Sequence, residues 1–147
     1  MEFGNVGVSA NSRIYNASGM PVVWLLSKVY DPYNNYMLYN YGDVNGERVL
    51  LDITYTQNGA FNLNNQIVFS YTNTARADKN KFFLEGDVAA NNAEVAKNNL
   101  LTKITVKAEG VNVKDYQFNY GNEGMYSYLK EVVESGYDGI TSTALNS

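Results

Sequence analysis

Short runs of β-branched and aromatic residues alternate along this chain with clusters of turn-forming residues. The first clear example is the run 22–30, which ends at the cluster 31–35 and is followed by a second run at 36–41. Proline presets a turn dihedral and asparagine tolerates left-handed backbone, so the cluster reverses the chain direction. Two such runs flanking a turn cluster predict a β-hairpin.

The same order of outgoing run, Gly/Asn-rich break and returning run recurs along the rest of the chain. Self-similarity at a spacing of about 25 residues is typical of repeat proteins, in which each unit covers its apolar surface with its neighbours. The later predicted units are 49–55, 57–65 and 66–71; then 100–106, 109–112 and 114–120; and finally an outgoing run at 128–134 before the glycines within 136–139.

The predicted units share a bulky apolar pair on the outgoing strand and an aromatic–any residue–aromatic ending on the returning strand. Strand alternation predicts Tyr39 and Tyr41 on one face and Asn40 on the other. The residues expected to stack between hairpins, or to form an exposed binding surface, are Trp24, Leu25, Leu26, Asp31, Tyr36, Tyr39, Tyr41, Leu50, Leu51, Phe69, Tyr71, Leu100, Leu101, Tyr116, Phe118, Tyr120, Tyr128 and Leu129.

Two segments depart from this pattern. Residues 1–19 are polar and weakly patterned, which indicates a weakly ordered leader region with one short candidate strand at 13–15. Residues 87–99 are alanine-rich with Asp87 as an N-cap candidate, so the sequence predicts a short helix or ordered loop inserted at the sheet edge. We therefore expect one all-β domain over 1–147, a curved antiparallel sheet of repeated hairpins with its repeat core at 20–147.

The composition excludes most catalytic chemistries. The sequence contains no histidine and no cysteine, which removes Ser-His and Cys-His catalytic pairs, disulfides and thiolate metal sites. Paired carboxylates remain as candidates: Glu131 with Glu134, Glu47 with Asp52, or Asp138. Positions 131 and 134 have opposite strand parity and are expected on opposite faces. We therefore expect a protein that is not an enzyme and needs no cofactor.

The charge distribution limits the partners of the chain. Its net charge is −4, its pI is about 4.7, and its lysines and arginines form no cluster. Nucleic acids and anionic membranes attract basic patches, so neither is expected as a partner. No apolar run reaches the roughly 18 residues of a membrane helix, so membrane insertion is not expected. Residues 1–10 lack signal-peptide features, and any export signal is expected outside this chain.

The polar and aromatic residues leave other interpretations open. The tyrosines are expected mainly as cross-strand partners, but exposed rings can also stack on sugars or peptides. The turn clusters at 31–35 and 43–47 offer oxygens to calcium, yet neither has the ligand spacing of a known calcium loop. Turn chemistry is the simpler explanation for both clusters.

These motifs resemble the Rhs/YD-repeat superfamily, and within it the virulence-plasmid B type and the insecticidal toxin-complex B components. Residues 24–41 are similar to its unit W-x-L-x-K-x-x-D followed by G-N-Y-x-x-Y-x-Y. Residues 39–50 resemble its Y-x-Y-D-x-x-G-R-L repeat, with Gly42 inserted before the aspartate. Residues 100–139 resemble a further hairpin of the family, whereas residues 76–98 do not match it.

The resemblance implies a scaffold role. Members of the superfamily wind β-hairpins into a large shell, and this chain is too short to enclose a cargo. We therefore expect a segment of a secreted or surface-delivered protein, with open edges that pair with neighbouring hairpins or with a second copy. The family pattern would next give a T-x-F-x-Y strand after Ser147. The alternative is a free-standing carbohydrate- or peptide-binding module that uses exposed Tyr and Trp.

Overall fold

The computed structural model describes residues 1–59, 61–73, 76–84, 93–137 and 142–146, and these residues form β-strands and turns without a helix. The predicted all-β hairpin fold is confirmed. The strands are β1 (Glu2–Phe3), β2 (Arg13–Tyr15), β3 (Pro21–Trp24), β4 (Leu26–Tyr30), β5 (Asn35–Val44), β6 (Glu47–Asn58), β7 (Phe61–Thr72), β8 (Asn80–Leu84), β9 (Ala93–Lys97), β10 (Leu100–Ala108), β11 (Val111–Glu123), β12 (Tyr126–Tyr137) and β13 (Ser142–Asn146).

One large antiparallel sheet organises the part of the chain that the structure describes. Its nine strands follow the order β1-β4-β5-β6-β7-β10-β11-β12-β13, and its first and last strands do not pair with each other. From β4 onward the order is that of the sequence, interrupted only by the β8–β9 hairpin. The sheet is therefore an open meander of hairpins, accompanied by the two-stranded sheets β2–β3 and β8–β9.

The first predicted hairpin is confirmed as β4–β5, with Tyr30 opposite Tyr36. Its predicted outgoing run 22–30 is divided at Leu25, and the part before it belongs to β3 in the separate β2–β3 sheet. The Asp31 carboxylate accepts hydrogen bonds from the backbone N–H groups of Tyr33 at 2.8 Å and Asn35 at 2.9 Å. Asn34 takes the left-handed conformation with φ 64°. A hydrogen bond from the Asn35 side chain is the main cause that lowers the pKa of Asp31. The turn cluster thus closes the hairpin through its own side chains.

The predicted break at 57–65 is wrong, because β6 extends to Asn58 and β7 already begins at Phe61. The reason is a β-bulge around Thr56, whose φ is 59°. Gln57 is only 6% exposed, and its side-chain nitrogen donates to the carbonyl of Leu63 at 2.7 Å. Polar residues therefore continue both strands where their composition suggested a loop.

The prediction for 87–99 is also corrected where the structure describes it. Residues 93–97 form β9, which pairs with β8 through Lys81 opposite Ala96. Asp87, the predicted N-cap, lies outside the described residues. The preceding strand, β8, supplies backbone hydrogen bonds here, and this pairing overrides the helix propensity of alanine.

The register sorts apolar and polar residues onto opposite faces of the large sheet. On one face Tyr39 lies opposite Ile53, and Ile53 lies opposite Ile67. On the other face Asn40 lies opposite Asp52, and its amide donates to that carboxylate at 2.8 Å. The prediction that Asn40 faces away from Tyr39 is confirmed.

The sheet is a single layer with very little buried interior. Among the described residues, the buried hydrophobic side chains are Val49, Ala96 and Leu100. The accessible surface is 9163 Å², whereas a compact monomer of this mass exposes about 7,500 Å². Most apolar side chains are therefore only half-buried, against neighbours on their own face.

Candidate functional site

The same tyrosine contact occurs in three hairpins of the described chain. In each hairpin a tyrosine hydroxyl on the returning strand donates a hydrogen bond to the backbone carbonyl of a leucine on the outgoing strand. Such a contact is termed here a tyrosine tie. The ties join Tyr41 to Leu26 at 2.9 Å, Tyr71 to Leu50 at 2.8 Å and Tyr120 to Leu101 at 2.9 Å.

The three ties occupy equivalent positions in the sheet. If the register of each hairpin is continued to the tied leucine, the residue opposite that leucine is Asn40, Ser70 or Asn119. In every case the tied tyrosine is the next residue along the chain. An identical displacement in hairpins of different length shows that the tie is one repeated structural element.

Each tied tyrosine also faces a leucine on the following strand. A β-bulge precedes each of these pairs, because the following strand carries one extra residue there. The extra residues are Leu51, Thr102 and Lys130. Leucines and tyrosines therefore alternate across seven neighbouring strands in what we term the leucine–tyrosine ladder: Leu26, Tyr41, Leu50, Tyr71, Leu101, Tyr120 and Leu129.

The ladder changes how the second repeat unit aligns with the other units. The rungs use the second leucine of the pairs Leu25-Leu26 and Leu100-Leu101, but the first leucine of Leu50-Leu51. The second unit is therefore displaced by one residue from the alignment of apolar pairs. Leu51 occupies the bulge position that Thr102 and Lys130 occupy in the later units, so the apolar pair equivalent to Leu100-Leu101 is Val49-Leu50. A bulge leaves no unambiguous mark in the apolar pattern, and for this reason the sequence alignment chose the wrong pair.

Each tied hydroxyl has a raised pKa, and burial is the first cause. Burial raises the pKa of Tyr41, Tyr71 and Tyr120 above the ordinary tyrosine value. Nearby Tyr39 raises the pKa of Tyr41 further, and Glu47 does so for Tyr71. The stability that the ties contribute is therefore fully present below the unfolded pKa of about 10, and it is lost as pH rises through the higher folded values.

The ladder has an open end at β12. Residues 126–133 pair with β11, whereas β13 pairs only with residues 134–137. Ser127 has a partner, because the backbone N–H of Ala77 donates to its hydroxyl at 3.0 Å. Within the described chain, no strand adjoins the outer edge of 128–133 and no tyrosine ties to the carbonyl of Leu129. Leu129 is 50% exposed and Tyr128 is 45% exposed. Unpaired backbone beside exposed apolar side chains makes this edge a template for a further strand.

The other predicted stacking residues lie partly on the apolar face and partly at the hairpin ends. Phe69 lies opposite Ile104, which lies opposite Tyr116, while Phe118 lies opposite Val132. Leu51 covers Gly42, where an added Cβ would lie 2.5 Å from its Cδ1. Tyr39 lies opposite Ile53, Leu100 is buried, and Tyr36 lies at the tip of the first hairpin.

The N-terminal segment packs beside β3 and β4. The ring of Trp24 covers Gly4, although 51% of this tryptophan remains exposed. Leu25 binds the segment through its backbone, since its N–H donates to Ser12 and its carbonyl accepts from Gly4. The segment predicted to be weakly ordered therefore follows the first edge of the sheet.

The motif that resembles Y-x-Y-D-x-x-G-R-L forms the β5–β6 turn. Asn45 and Gly46 both have positive φ, as a two-residue type I′ turn requires. Asp43 and Arg48 lie opposite each other, and the guanidinium binds the carboxylate at 2.7 Å and 3.0 Å. Arg48 also donates to the carbonyl of Arg13 at 2.8 Å. The motif thus closes a turn and anchors the N-terminal segment to it.

Sequence reasoning missed the role of Glu47. Its carboxylate accepts hydrogen bonds from the backbone N–H groups of Asn98 at 2.7 Å and Asn99 at 2.8 Å, and from the Asn99 side chain at 2.9 Å. Asn99 is buried and also binds Asn45. This network fastens the β9–β10 connection to the β5–β6 turn. About fifty positions separate the partners along the chain, so no local pattern signals the contact.

A second missed cluster joins β10, β11 and β12. The buried carboxylate of Asp115 accepts hydrogen bonds from the Lys103 ammonium at 2.8 Å and from the Tyr137 hydroxyl. Burial alone would raise the pKa of Asp115, but hydrogen bonds from Lys103, Thr105 and Tyr137 outweigh it and lower the pKa. The same carboxylate raises the pKa of Lys103 and of Tyr137. The cluster cross-links three strands electrostatically.

The carboxylates considered for catalysis have structural partners. Glu131 accepts from the amide of Asn119 at 2.7 Å, and Glu134 pairs with the ammonium of Lys114. Asp138 lies outside the described residues. Within the described residues, no group of three His, Cys, Asp or Glu side chains is placed to hold a metal ion. The described residues also contain no helix that is long and apolar enough to cross a membrane.

Comparison with known proteins gives a match of structure only. No protein-family model and no curated protein sequence matches the chain. The fold is similar to that of the N-terminal domain of the effector protein SpvB from Salmonella typhimurium strain LT2, with a TM-score of 0.66 and 16% identity over 90% of this chain. It is also similar to the Photorhabdus luminescens Tc holotoxin pore and to TcdB2-TccC3, each with a TM-score of 0.71 and 17% identity over 97% of this chain.

The chain corresponds to only part of these structures. It spans 57% of the SpvB domain, 9% of the matched holotoxin chain and 10% of the matched TcdB2-TccC3 chain. At this level of identity the likeness establishes a shared fold. This chain therefore has the fold of a segment found within toxin-complex components and an effector domain.

Proposed function

We propose that this chain is a non-catalytic scaffold segment of a larger, secreted or surface-delivered protein related to toxin complexes. The leucine–tyrosine ladder is the observation that carries the proposal. It joins the strands of each hairpin by a tie and successive hairpins by a tyrosine–leucine pair, and its last rung, Leu129, is half-exposed. Such a ladder extends by adding hairpins, as in other repeat proteins.

The thinness of the sheet supports the same function. A sheet normally buries one face against a second layer, and this chain exposes more surface than a compact monomer of its mass. A segment inside a larger shell gains its missing contacts from the neighbouring hairpins. The structural likeness to 9–10% of two toxin-complex chains also favours a segment that partners with adjacent parts. The proposal includes two further points: that the chain belongs to the Rhs/YD-repeat superfamily, and that the parent protein is exported.

The open edge provides the test. We expect the isolated chain to associate with itself through residues 128–133, because unpaired strand edges pair with other chains. The double variant Leu129→Lys/Val132→Lys places two charges on side chains that are 50% and 40% exposed. Sedimentation velocity over a concentration series should show larger species for the unmodified chain and a monomer for this variant.

A matched control separates the edge from general surface charge. The variant Val111→Lys/Val113→Lys adds the same charges at side chains that are 52% and 45% exposed near the β10–β11 turn. It should associate as the unmodified chain does. A chain that stays monomeric at every concentration would reject the scaffold proposal and favour a free-standing binding module. Equal behaviour of the two double variants would show that the edge is not the contact.

A further inference from the structure

A cavity of about 400 Å³ lies at the tip of the first hairpin, where β1 approaches β4. Its volume falls within the range of about 300–1,000 Å³ that small-molecule sites occupy. None of its lining residues belongs to the leucine–tyrosine ladder, so the scaffold function does not account for it. The side chains that line it are Glu2, Lys28, Tyr30, Asn34, Tyr36 and Asn58.

Two tyrosine rings and one ammonium group shape the wall of the cavity. Tyr30 lies directly opposite Tyr36 on the neighbouring strand, and 51% of Tyr30 is exposed. The Lys28 ammonium lies 4.3 Å from the ring centre of Tyr36 and 5.8 Å from that of Tyr30. Lys28 has no acidic partner among the described residues, so its N–H donors remain available to a ligand.

The remaining polar side chains of the cavity make some hydrogen bonds within the protein and keep other donors and acceptors without a partner in the described chain. Asn58 donates to the side chain of Asn35 at 2.8 Å, and Glu2 accepts from Asn5 at 2.7 Å. The backbone N–H of Asn34 donates to the carbonyl of Asp31 at 3.2 Å. The side-chain amide of Asn34 makes no hydrogen bond within the described part of the chain, and neither tyrosine hydroxyl of the cavity does. The cavity thus presents donors and acceptors together, beside an exposed aromatic ring.

We propose that this cavity binds a neutral pyranose unit of a glycan. A pyranose ring has a C–H face that packs on an aromatic side chain, and hydroxyl groups that both donate and accept hydrogen bonds. The single ammonium of Lys28 and the single carboxylate of Glu2 balance in charge, which favours an uncharged ligand. Open sheet edges, apolar helix grooves and basic clusters, which bind peptides, differ from this polar cavity with two rings. Aromatic-lined grooves bind proline-rich peptides, but the ring of Tyr36 is covered here by the Lys28 ammonium at 4.3 Å, which leaves Tyr30 as the exposed ring.

The test is a titration of the full chain with defined sugars, followed by NMR. The probes are chitotriose, cellotriose, maltotriose and mannotriose, with the neutral peptide acetyl-Gly-Ser-Thr-Gly-amide titrated in parallel. We expect at least one sugar to shift the backbone amide signals of Lys28, Asn34 and Asn58 saturably, and the peptide to leave them unchanged. Saturation by the peptide and by none of the sugars would overturn the glycan assignment.

Variants locate the binding. Tyr30→Ala removes the half-exposed ring, and Asn34→Gly removes the amide at a left-handed position that glycine accepts without strain. Each should weaken binding of the responding sugar about two- to tenfold, through lost ring contact or hydrogen bonding. Tyr15→Ala is the matched control, because Tyr15 is 46% exposed and lies on the separate β2–β3 sheet. No saturable shift with any sugar, or equal weakening by Tyr15→Ala, would overturn the proposal.

Discussion

The inner rungs of the ladder and its outermost rung use the same residue types in different surroundings. Leu50 faces Tyr41 on one side, and on the other its carbonyl accepts the tie from Tyr71. Leu129 faces Tyr120 in the same way, but no described residue ties to its carbonyl, and half of its surface is exposed. In this single-layer sheet, a leucine is thus enclosed by the next strand rather than by a second layer.

The glycines that follow two of the ladder tyrosines give the largest expected contrast. An added Cβ would lie 2.5 Å from Leu51 at Gly42, and 2.7 Å from the ring of Tyr128 at Gly121. Gly42 is buried between paired strands, so Gly42→Val should lower the free energy of unfolding by about 1–3 kcal/mol through overpacking. Tyr128 lies at the open edge and can turn outward, so Gly121→Val should cost less than about 1 kcal/mol.

Urea denaturation of both glycine variants measures this difference. Equal losses, or a larger loss for Gly121→Val, would mean that the edge is packed as tightly as the interior. The comparison of inner and outer rungs would then have no energetic basis.

Removing a tied hydroxyl should have a smaller effect. Tyr71→Phe keeps the ring but deletes the donor to Leu50, and it should lower the free energy of unfolding by about 1 kcal/mol. Tyr128→Phe is the control, since this ring lies 45% exposed at the open edge and forms no tie; its loss should stay within about 0.5 kcal/mol. Urea denaturation near neutral pH, where the tied hydroxyl is protonated, measures both losses. Equal losses would show that the tie itself contributes no stability.

The sequence predicted the elements whose signals are local. The turn at 31–35 carries its own hydrogen-bonding side chains, and the alternation of Tyr39 and Asn40 reports the two faces directly. The aromatic–any residue–aromatic endings of the returning strands also include the three tied tyrosines. These features depend on residues that are close together in the sequence, so one sequence is enough to reveal them.

The features that the sequence did not predict depend on distant partners or on irregular backbone. The bulge at Thr56 extends two strands through a stretch that reads as a loop. Glu47 holds residues about fifty positions away, and the pairing of β9 with β8 replaces the expected helix or loop over 93–97. The cavity beside Lys28 includes Glu2 because the N-terminal strand returns to pair with β4. None of these is visible in composition or periodicity.

The ladder itself is tested most directly by adding its next rung. The register of β12 with β13 pairs Glu134 with Asn146. A continuation of β13 in this register places the fourth added residue opposite Leu129, and the fifth at the position of a tied tyrosine. The extension Thr-Ala-Phe-Ser-Tyr after Ser147, compared with Thr-Ala-Phe-Ser-Phe, changes one hydroxyl group at that position.

Urea denaturation of the two extended chains is the deciding measurement. The account predicts that the chain ending in tyrosine is more stable by about 0.5–1.5 kcal/mol, because its hydroxyl ties to the carbonyl of Leu129. Equal stability of the two chains, or greater stability with phenylalanine, would contradict the claim that the ladder is the repeating unit of this scaffold.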